Sequence, residues 1–140
     1  MQTDRAIKVI VSMIGLDGHW SGGEVVSKIL MDAGMEVVYL GLNQTPEMIV
    51  QAAIQEDVDL IGISSHASNY NQIEEMIDLM REKGMGDIPV ICGGTIPKHQ
   101  IPRLKEKGVA EVFAPRCTSV TIVRYIVSKV KGSRGAVNRE

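Results

Sequence analysis

An aspartate and a histidine two residues apart, closed by a glycine, stand out in Asp17-Gly18-His19-Trp20-Ser21-Gly22. A neutral imidazole is a good nitrogen ligand for a transition metal, and a carboxylate that accepts a hydrogen bond from its other ring nitrogen orients the ring. In extended backbone, residues two apart point the same way, so Asp17 can meet His19 without long-range folding. Taken alone, the trio reads more readily as a turn at Asp17-Gly18 with His19 beside a helix start. Gly22 and Gly23 suit close approach of a ligand to bare backbone amides, or simply a flexible turn. Farther along the chain, Ser64 offers a hydroxyl where a strand ends, a position equally suited to capping. Gly93-Gly94 removes side chains from another strand end, for a turn or for a flat or chain-like ligand. His66, Arg116 and Cys117 fall in similar gaps. A zinc site built from His19, His66 and Cys117 is disfavoured, because catalytic zinc takes three protein ligands at close quarters and these read as scattered loop residues.

The elements that would position these residues alternate regularly. Ile7 to Met13 is a β-branched run, and after a loop from Gly15 to Gly23 the apolar residues Val25, Val26, Ile29, Leu30 and Ala33 take helical spacing up to Gly34. Glu36 to Leu40 is a short strand. Thr45-Pro46 reads as an N-cap and first helical residue ahead of Ile49, Val50, Ala53 and Ile54. Val58 to Ile63 is strand-like, and Ile73, Met76, Ile77 and Met80 form the next helical stripe before Gly84-Met85-Gly86. Ile88 to Cys92, a helix from Gln100 to Lys107, Ala110 to Phe113, and a helix with Val123, Ile126, Val127 and Val130 complete five strand–helix units. Strands apolar on both faces that alternate with helices belong to a parallel sheet covered on each side. The expected fold is α/β, flavodoxin-like (Rossmann-like), with a five-stranded parallel sheet in the order 2-1-3-4-5. Ligands in such sheets bind outside the carboxyl ends of the strands, where order reverses, and the singled-out residues all follow strands one, three, four and five. One domain is expected over residues 1–130, with polar residues 131–140 as a flexible tail.

The 140 residues carry a formal charge of -2 and 44% apolar residues, enough for one core but with no basic face for nucleic acid. Ala6 to Leu16 is broken by Lys8 and followed by Asp17, which suits neither a signal peptide nor a membrane span, so a cytoplasmic protein is expected. Cys92 and Cys117 lack the spacing of a disulfide framework or metal knuckle and read as reduced thiols.

Taken together, Asp17-Gly18-His19-Trp20-Ser21-Gly22, Ser64-Ser65-His66 and Gly93-Gly94 resemble the cobalamin-binding domain family, whose pattern is Asp-x-His-x-x-Gly, Ser-x-Leu and Gly-Gly on the same scaffold. Gly15-Leu16-Asp17-Gly18-His19, Thr45-Pro46-Glu47, Gln55-Glu56-Asp57-Val58-Asp59 and Gly93-Gly94-Thr95-Ile96-Pro97 further resemble the small subunit or carboxyl-terminal domain of methylmalonyl-CoA mutase-type enzymes. The resemblance spans residues 6–130. It implies that cobalamin binds with its own base detached and His19 as the lower axial ligand of cobalt, tuned by Asp17. Ser64 would lie near the detached base, and Gly93-Gly94 would make room for the nucleotide tail. It also implies adenosylcobalamin as cofactor and radical rearrangement of an acyl-CoA, with catalytic groups on a large barrel subunit in a hetero-oligomer. A barrel takes about 250 residues, so this chain is expected to act as the small subunit. Met13 replaces a frequent lysine, Trp20-Ser21 replaces Asp-Arg, His66 replaces leucine, and Arg116-Cys117 replaces Gly-Thr. These departures bear on substrate and partner more than on the ligand. Trp20 could pack on the corrin or the large subunit, or stand as a solvent-side aromatic beside a turn.

Three other readings share parts of this pattern. A corrinoid carrier for methyl transfer usually has a helical cap ahead of the domain, and few residues precede strand one here. A non-catalytic cobalamin sensor would look similar. A receiver domain would want clustered acids at the strand ends, where this chain has Asp17 alone.

Overall fold

The β-branched and apolar runs form a single parallel sheet whose strands are separated by helical crossovers. In the computed structural model, residues 6–13, 21–41, 44–65, 70–94, 96–113 and 118–138 are described, with side chains except at 21–24, 65 and 133–138. The chain runs β1 (Lys8–Met13), α1 (Ser21–Asp32), β2 (Glu36–Gly41), α2 (Pro46–Glu56), β3 (Leu60–Ser65), α3 (Tyr70–Glu82), β4 (Val90–Gly94), a 3-10 turn at Lys98–Gln100, α4 (Ile101–Lys107), β5 (Glu111–Phe113) and α5 (Ser119–Asn138). Every pairing is parallel. The order is β2-β1-β3-β4-β5, as the alternation predicts.

Successive strand side chains point to opposite faces, so each strand feeds two apolar layers. Ile10, Ile61, Ile63, Val90 and Cys92 pack against Ile49, Val50 and Ala53 of α2, Ile73, Met76, Ile77 and Met80 of α3, and Leu104 of α4. Val9, Val11, Leu60 and Ile91 point the other way, against Leu30 of α1 and Ile126 and Val130 of α5. The helices end as their punctuation predicts. Thr45 Oγ1 accepts from the Met48 amide at 3.1 Å to cap α2. Gly34 takes φ 89° after α1, and the Met35 amide bonds back to the Leu30 carbonyl at 3.1 Å.

Most strand boundaries shift by one or two residues from the sequence expectation, β3 starting at Leu60 rather than Val58 and β4 at Val90 rather than Ile88, and three carboxyl-terminal shifts matter for the site and the tail. β3 and β4 run two residues beyond Ile63 and Cys92, so Ser64-Ser65 and Gly93-Gly94 are strand residues rather than loop. Parallel pairing of Ser64 with Gly93 and of Ser65 with Gly94 supplies backbone hydrogen bonds that side-chain hydropathy does not reveal. Helical backbone also continues from Val130, where the apolar stripe ends, to Asn138. Extending a formed helix adds a hydrogen bond per residue fixed, which outlasts the apolar pattern.

At the amino ends of the strands, charge replaces apolar packing. The Lys8 amide donates to Asp59 Oδ2 at 2.9 Å and the Asp59 amide to the Lys8 carbonyl at 2.8 Å. Lys8 Nζ lies 3.0 Å from Glu56 and 3.3 Å from Glu36. One lysine thus ties the starts of β1 and β2 to the segment entering β3.

Candidate functional site

Parallel register brings four strand ends into one row across the carboxyl edge. Met13 pairs with Ser64, Ser64 with Gly93, and Gly93 with Phe113. Alternation from Leu60 and Ile91 places Gly62, Ser64 and Gly93 on the face covered by α1 and α5. An added Cβ at Gly62 would touch the Ile10 carbonyl at 3.5 Å and Ile91 Cγ1 at 3.8 Å. At Gly93 it would meet, among the described residues, the Phe113 carbonyl at 3.9 Å. The carboxyl end of this face is therefore floored by bare backbone, with the half-buried Ser64 the polar side chain between its two glycines.

Aromatic rings flank the floor. Phe113 meets Tyr125 of α5 edge to face, ring centres 5.4 Å apart at 80°. Burial first, then Glu111, raises the Tyr125 phenol above its ordinary range against a smaller opposing effect of Lys105, so it stays a neutral hydrogen-bonding group. Across the sheet, the Tyr39 hydroxyl is buried on β2, and Met13 is wholly buried at the end of β1. Gly94 has φ 105°, which favours glycine where the chain leaves β4. Thr118 Oγ1 accepts from the Thr121 amide at 3.3 Å and so caps α5 at the same edge.

Asp17, Gly18, His19, Trp20, His66, Arg116 and Cys117 lie outside the described residues. Ser21 and Gly22 are the first residues of α1, and of their side chains nothing is described. What the structure joins is Ser64 with Gly93, and Ser65 with Gly94, in adjacent strands. The segments that carry the remaining residues follow Met13, Ser65 and Phe113, three ends within or beside the row. Gly62, Phe113 and Tyr125 were not among the expected site residues. Gly62 was findable, because it stands two residues before Ser64 in an apolar strand and so shares its face.

Chemically, a side-chain-free floor with a hydroxyl at its centre suits an elongated organic group lying against backbone beneath α1 and α5. Among the described residues, no cluster of three or more His, Cys, Asp or Glu could hold a metal ion.

Residues 7–121 match the B12 binding domain family. The chain is 40% identical over 131 residues to the 2-hydroxyisobutanoyl-CoA mutase small subunit of Aquincola tertiaricarbonis, covering 93% of this chain and 96% of that one. It is 39% identical over 130 residues to the pivalyl-CoA mutase small subunit of Xanthobacter autotrophicus, covering 93% and 88%. Methylmalonyl-CoA mutase of Rhizobium meliloti is 35% identical over 128 residues, which are 91% of this chain and 18% of the longer one. In fold, a cobalamin-binding protein from Desulfitobacterium hafniense superposes with a TM-score of 0.79 at 17% identity, over 89% of this chain and 60% of that one. A signal receiver domain from Vibrio parahaemolyticus superposes at 0.76 with 12% identity, over 97% and 98%. Likeness at such low identity shows the flavodoxin-like scaffold alone, and the scaffold serves unrelated functions. The sequence match over most of the chain decides the matter: the protein belongs to the B12-binding domain family.

Proposed function

We propose that this chain is the cobalamin-binding small subunit of an adenosylcobalamin-dependent acyl-CoA carbon-skeleton mutase, an isomerase completed by a large subunit that binds the acyl-CoA. The observation that carries the reading is the family match together with about 40% identity over nearly the full length of two mutase small subunits. His19 would be the lower axial ligand of cobalt in the base-off form, with Asp17 accepting a hydrogen bond from its second ring nitrogen. Gly18, Trp20, Ser21 and Gly22 would surround that ligand, and His66, Arg116 and Cys117 would meet the cofactor or the large subunit from neighbouring loops. When bound, adenosylcobalamin supplies radical chemistry, while the protein binds, orients and encloses it.

The described residues have distinct parts in this. Gly62 and Gly93 keep the floor clear for the nucleotide tail, and Ser64 offers a hydroxyl at its middle. Phe113 and Tyr125 present apolar ring surface that limits water at the carboxyl edge. No catalytic acid or base is assigned to this chain; its work is to hold the cofactor for a partner. The protein would act in the cytoplasm, and no helix among the described residues is long and apolar enough to cross a membrane.

Purified protein mixed with adenosylcobalamin, then freed of excess cofactor, should retain a visible spectrum of the base-off, histidine-ligated form. His19→Ala should lose that signature. An unchanged spectrum in the variant would rule out His19 as the ligand. Isomerisation of an acyl-CoA on adding the large subunit distinguishes a mutase from a methyl carrier or sensor.

A further inference from the structure

Of the described side chains of α1, Ser27 and Leu30 are the two that are buried. Leu30 is accounted for by its packing with Val9, Val11 and Leu60. Ser27 is not. It is 5% exposed, and its hydroxyl has no hydrogen-bond partner among the described residues. A serine inside a helix usually satisfies itself on the carbonyl four residues back or points to water. Ser27 does neither, and a buried hydroxyl without a partner is a standing cost to the fold.

Its place in the fold shows what the hydroxyl could serve. α1 packs on β1, β2 and α5, and it starts at the carboxyl edge and runs toward the amino ends of the strands. Ser27 lies one turn nearer the edge than Leu30, in the direction of Met13, Ser64 and Gly93. The floor below that edge is bare at Gly62 and Gly93, and Ser64 is its polar group. Ser27 is the buried polar side chain in the described part of the covering helix. A hydroxyl there would be satisfied by a ligand entering between α1 and the sheet, over the glycines of that floor.

We infer that Ser27 is a ligand-binding residue, its hydroxyl donating a hydrogen bond to an oxygen of the ribose-phosphate tail of a bound corrinoid. The inference rests on the cobalamin reading. It assigns to α1 a contact opposite the serine and glycines of the sheet. It also gives the unsatisfied hydroxyl a function: stability forgone in the free protein is returned when the tail is bound.

Two corrinoids separate the tail from the ring, because cobinamide lacks the nucleotide that cobalamin carries. Binding of each should be titrated by absorbance with the wild type, Ser27→Ala and Ser27→Thr, alongside thermal unfolding without ligand. Ser27→Ala should weaken cobalamin about 5- to 10-fold, the effect of one hydrogen bond, and leave cobinamide unchanged. The same variant without ligand should melt about 2–4 °C higher, because the unsatisfied group is gone. Ser27→Thr keeps the hydroxyl and should hold cobalamin within about twofold of the wild type. Equal effects of Ser27→Ala on both corrinoids, or none on cobalamin, would overturn the assignment. If the wild type itself bound neither corrinoid, the cobalamin reading would fall and this inference with it.

Discussion

Gly93 and Gly94 are neighbours in sequence but do different physical work. Gly93 is in ordinary strand conformation on the face under α1 and α5, and a Cβ there would meet, among the described residues, the Phe113 carbonyl at an ordinary contact distance of 3.9 Å. Gly94 has φ 105°, where any side chain is strained. Gly93→Val should therefore leave the unliganded fold within about 1 kcal/mol of the wild type, since valine suits a strand. The same variant should weaken cobalamin about 10- to 100-fold by filling the floor, the usual penalty of about 1–3 kcal/mol for overpacking. Gly94→Ala should reverse that pattern, losing about 1–2 kcal/mol of stability through left-handed strain. Urea unfolding paired with cobalamin titration reads both quantities, and equal behaviour of the two variants would refute the division. From sequence, Gly-Gly was visible as a unit, but the split was not, because backbone φ is invisible in residue type. Ser64 was visible for the opposite reason: a hydroxyl at the end of an apolar run breaks a pattern. The Asp17-Gly18-His19 reading rests on resemblance and on chemistry, not on geometry.

At the scale of elements, period-two and period-3.6 patterns were sufficient to place all five strands and five helices, because both faces of the sheet are buried and each helix has one buried stripe. Pattern failed where hydrogen bonding continued after hydropathy had stopped, at Ser64-Ser65, at Gly93-Gly94, and in α5 beyond Val130. Contacts between distant elements were also unreadable. The turn from α4 into β5 is one. Arg81 of α3 donates from Nη2 to the Lys107 carbonyl at 2.6 Å, and Gly108 then turns with φ 133°. A Cβ on Gly108 would stand 2.9 Å from that same Nη2 and 3.4 Å from Ile77 Cγ2. Gly108→Ala should thus combine backbone strain with loss of the arginine cap and cost about 1–3 kcal/mol in urea unfolding. Ile126→Ala tests the other layer. This side chain is fully buried where α5 meets the sheet, and its truncation should cost about 2–5 kcal/mol through the cavity left behind. A loss under about 1 kcal/mol would mean that α5 is not an integral part of the α1/α5 layer.

Among the described residues, ionic contacts gather away from the row of strand ends. Lys8 sits with Glu36 and Glu56 at the amino ends, while Arg103 with Glu74, Lys105 with Glu111 and Lys107 with Asp78 link α3, α4 and β5. The directions in which Glu111, Lys8 and Cys92 shift define a window of stability. Glu111 is held below its ordinary 4.5, first by the hydrogen bond from Lys105 and also by the Val112 amide, against a smaller effect of burial. Its contribution is present above 4.5 and is lost as pH falls through the lowered value. Lys8 is raised above 10.5, chiefly by its hydrogen bond to Glu56 and then by Glu36, with burial opposing, so its contribution is full below 10.5 and is lost above it. Burial pushes the Cys92 thiol from 9.0 up to about 12. Below 9.0 the thiol is neutral in both states. Between 9.0 and about 12 the unfolded chain releases this proton and the folded chain keeps it, so stability declines through that interval. One such proton corresponds to a slope of about 1.4 kcal/mol per pH unit. Stability measured by urea unfolding should accordingly be flat from about pH 5 to about pH 9, falling on both sides. Cys92→Ala lowers the plateau by removing a buried side chain, but its alkaline limb should be shallower than the wild type's by up to that single-proton slope. Comparing slopes rather than absolute stabilities separates titration from packing. Parallel alkaline limbs in the two proteins would show that Cys92 does not hold its proton through burial.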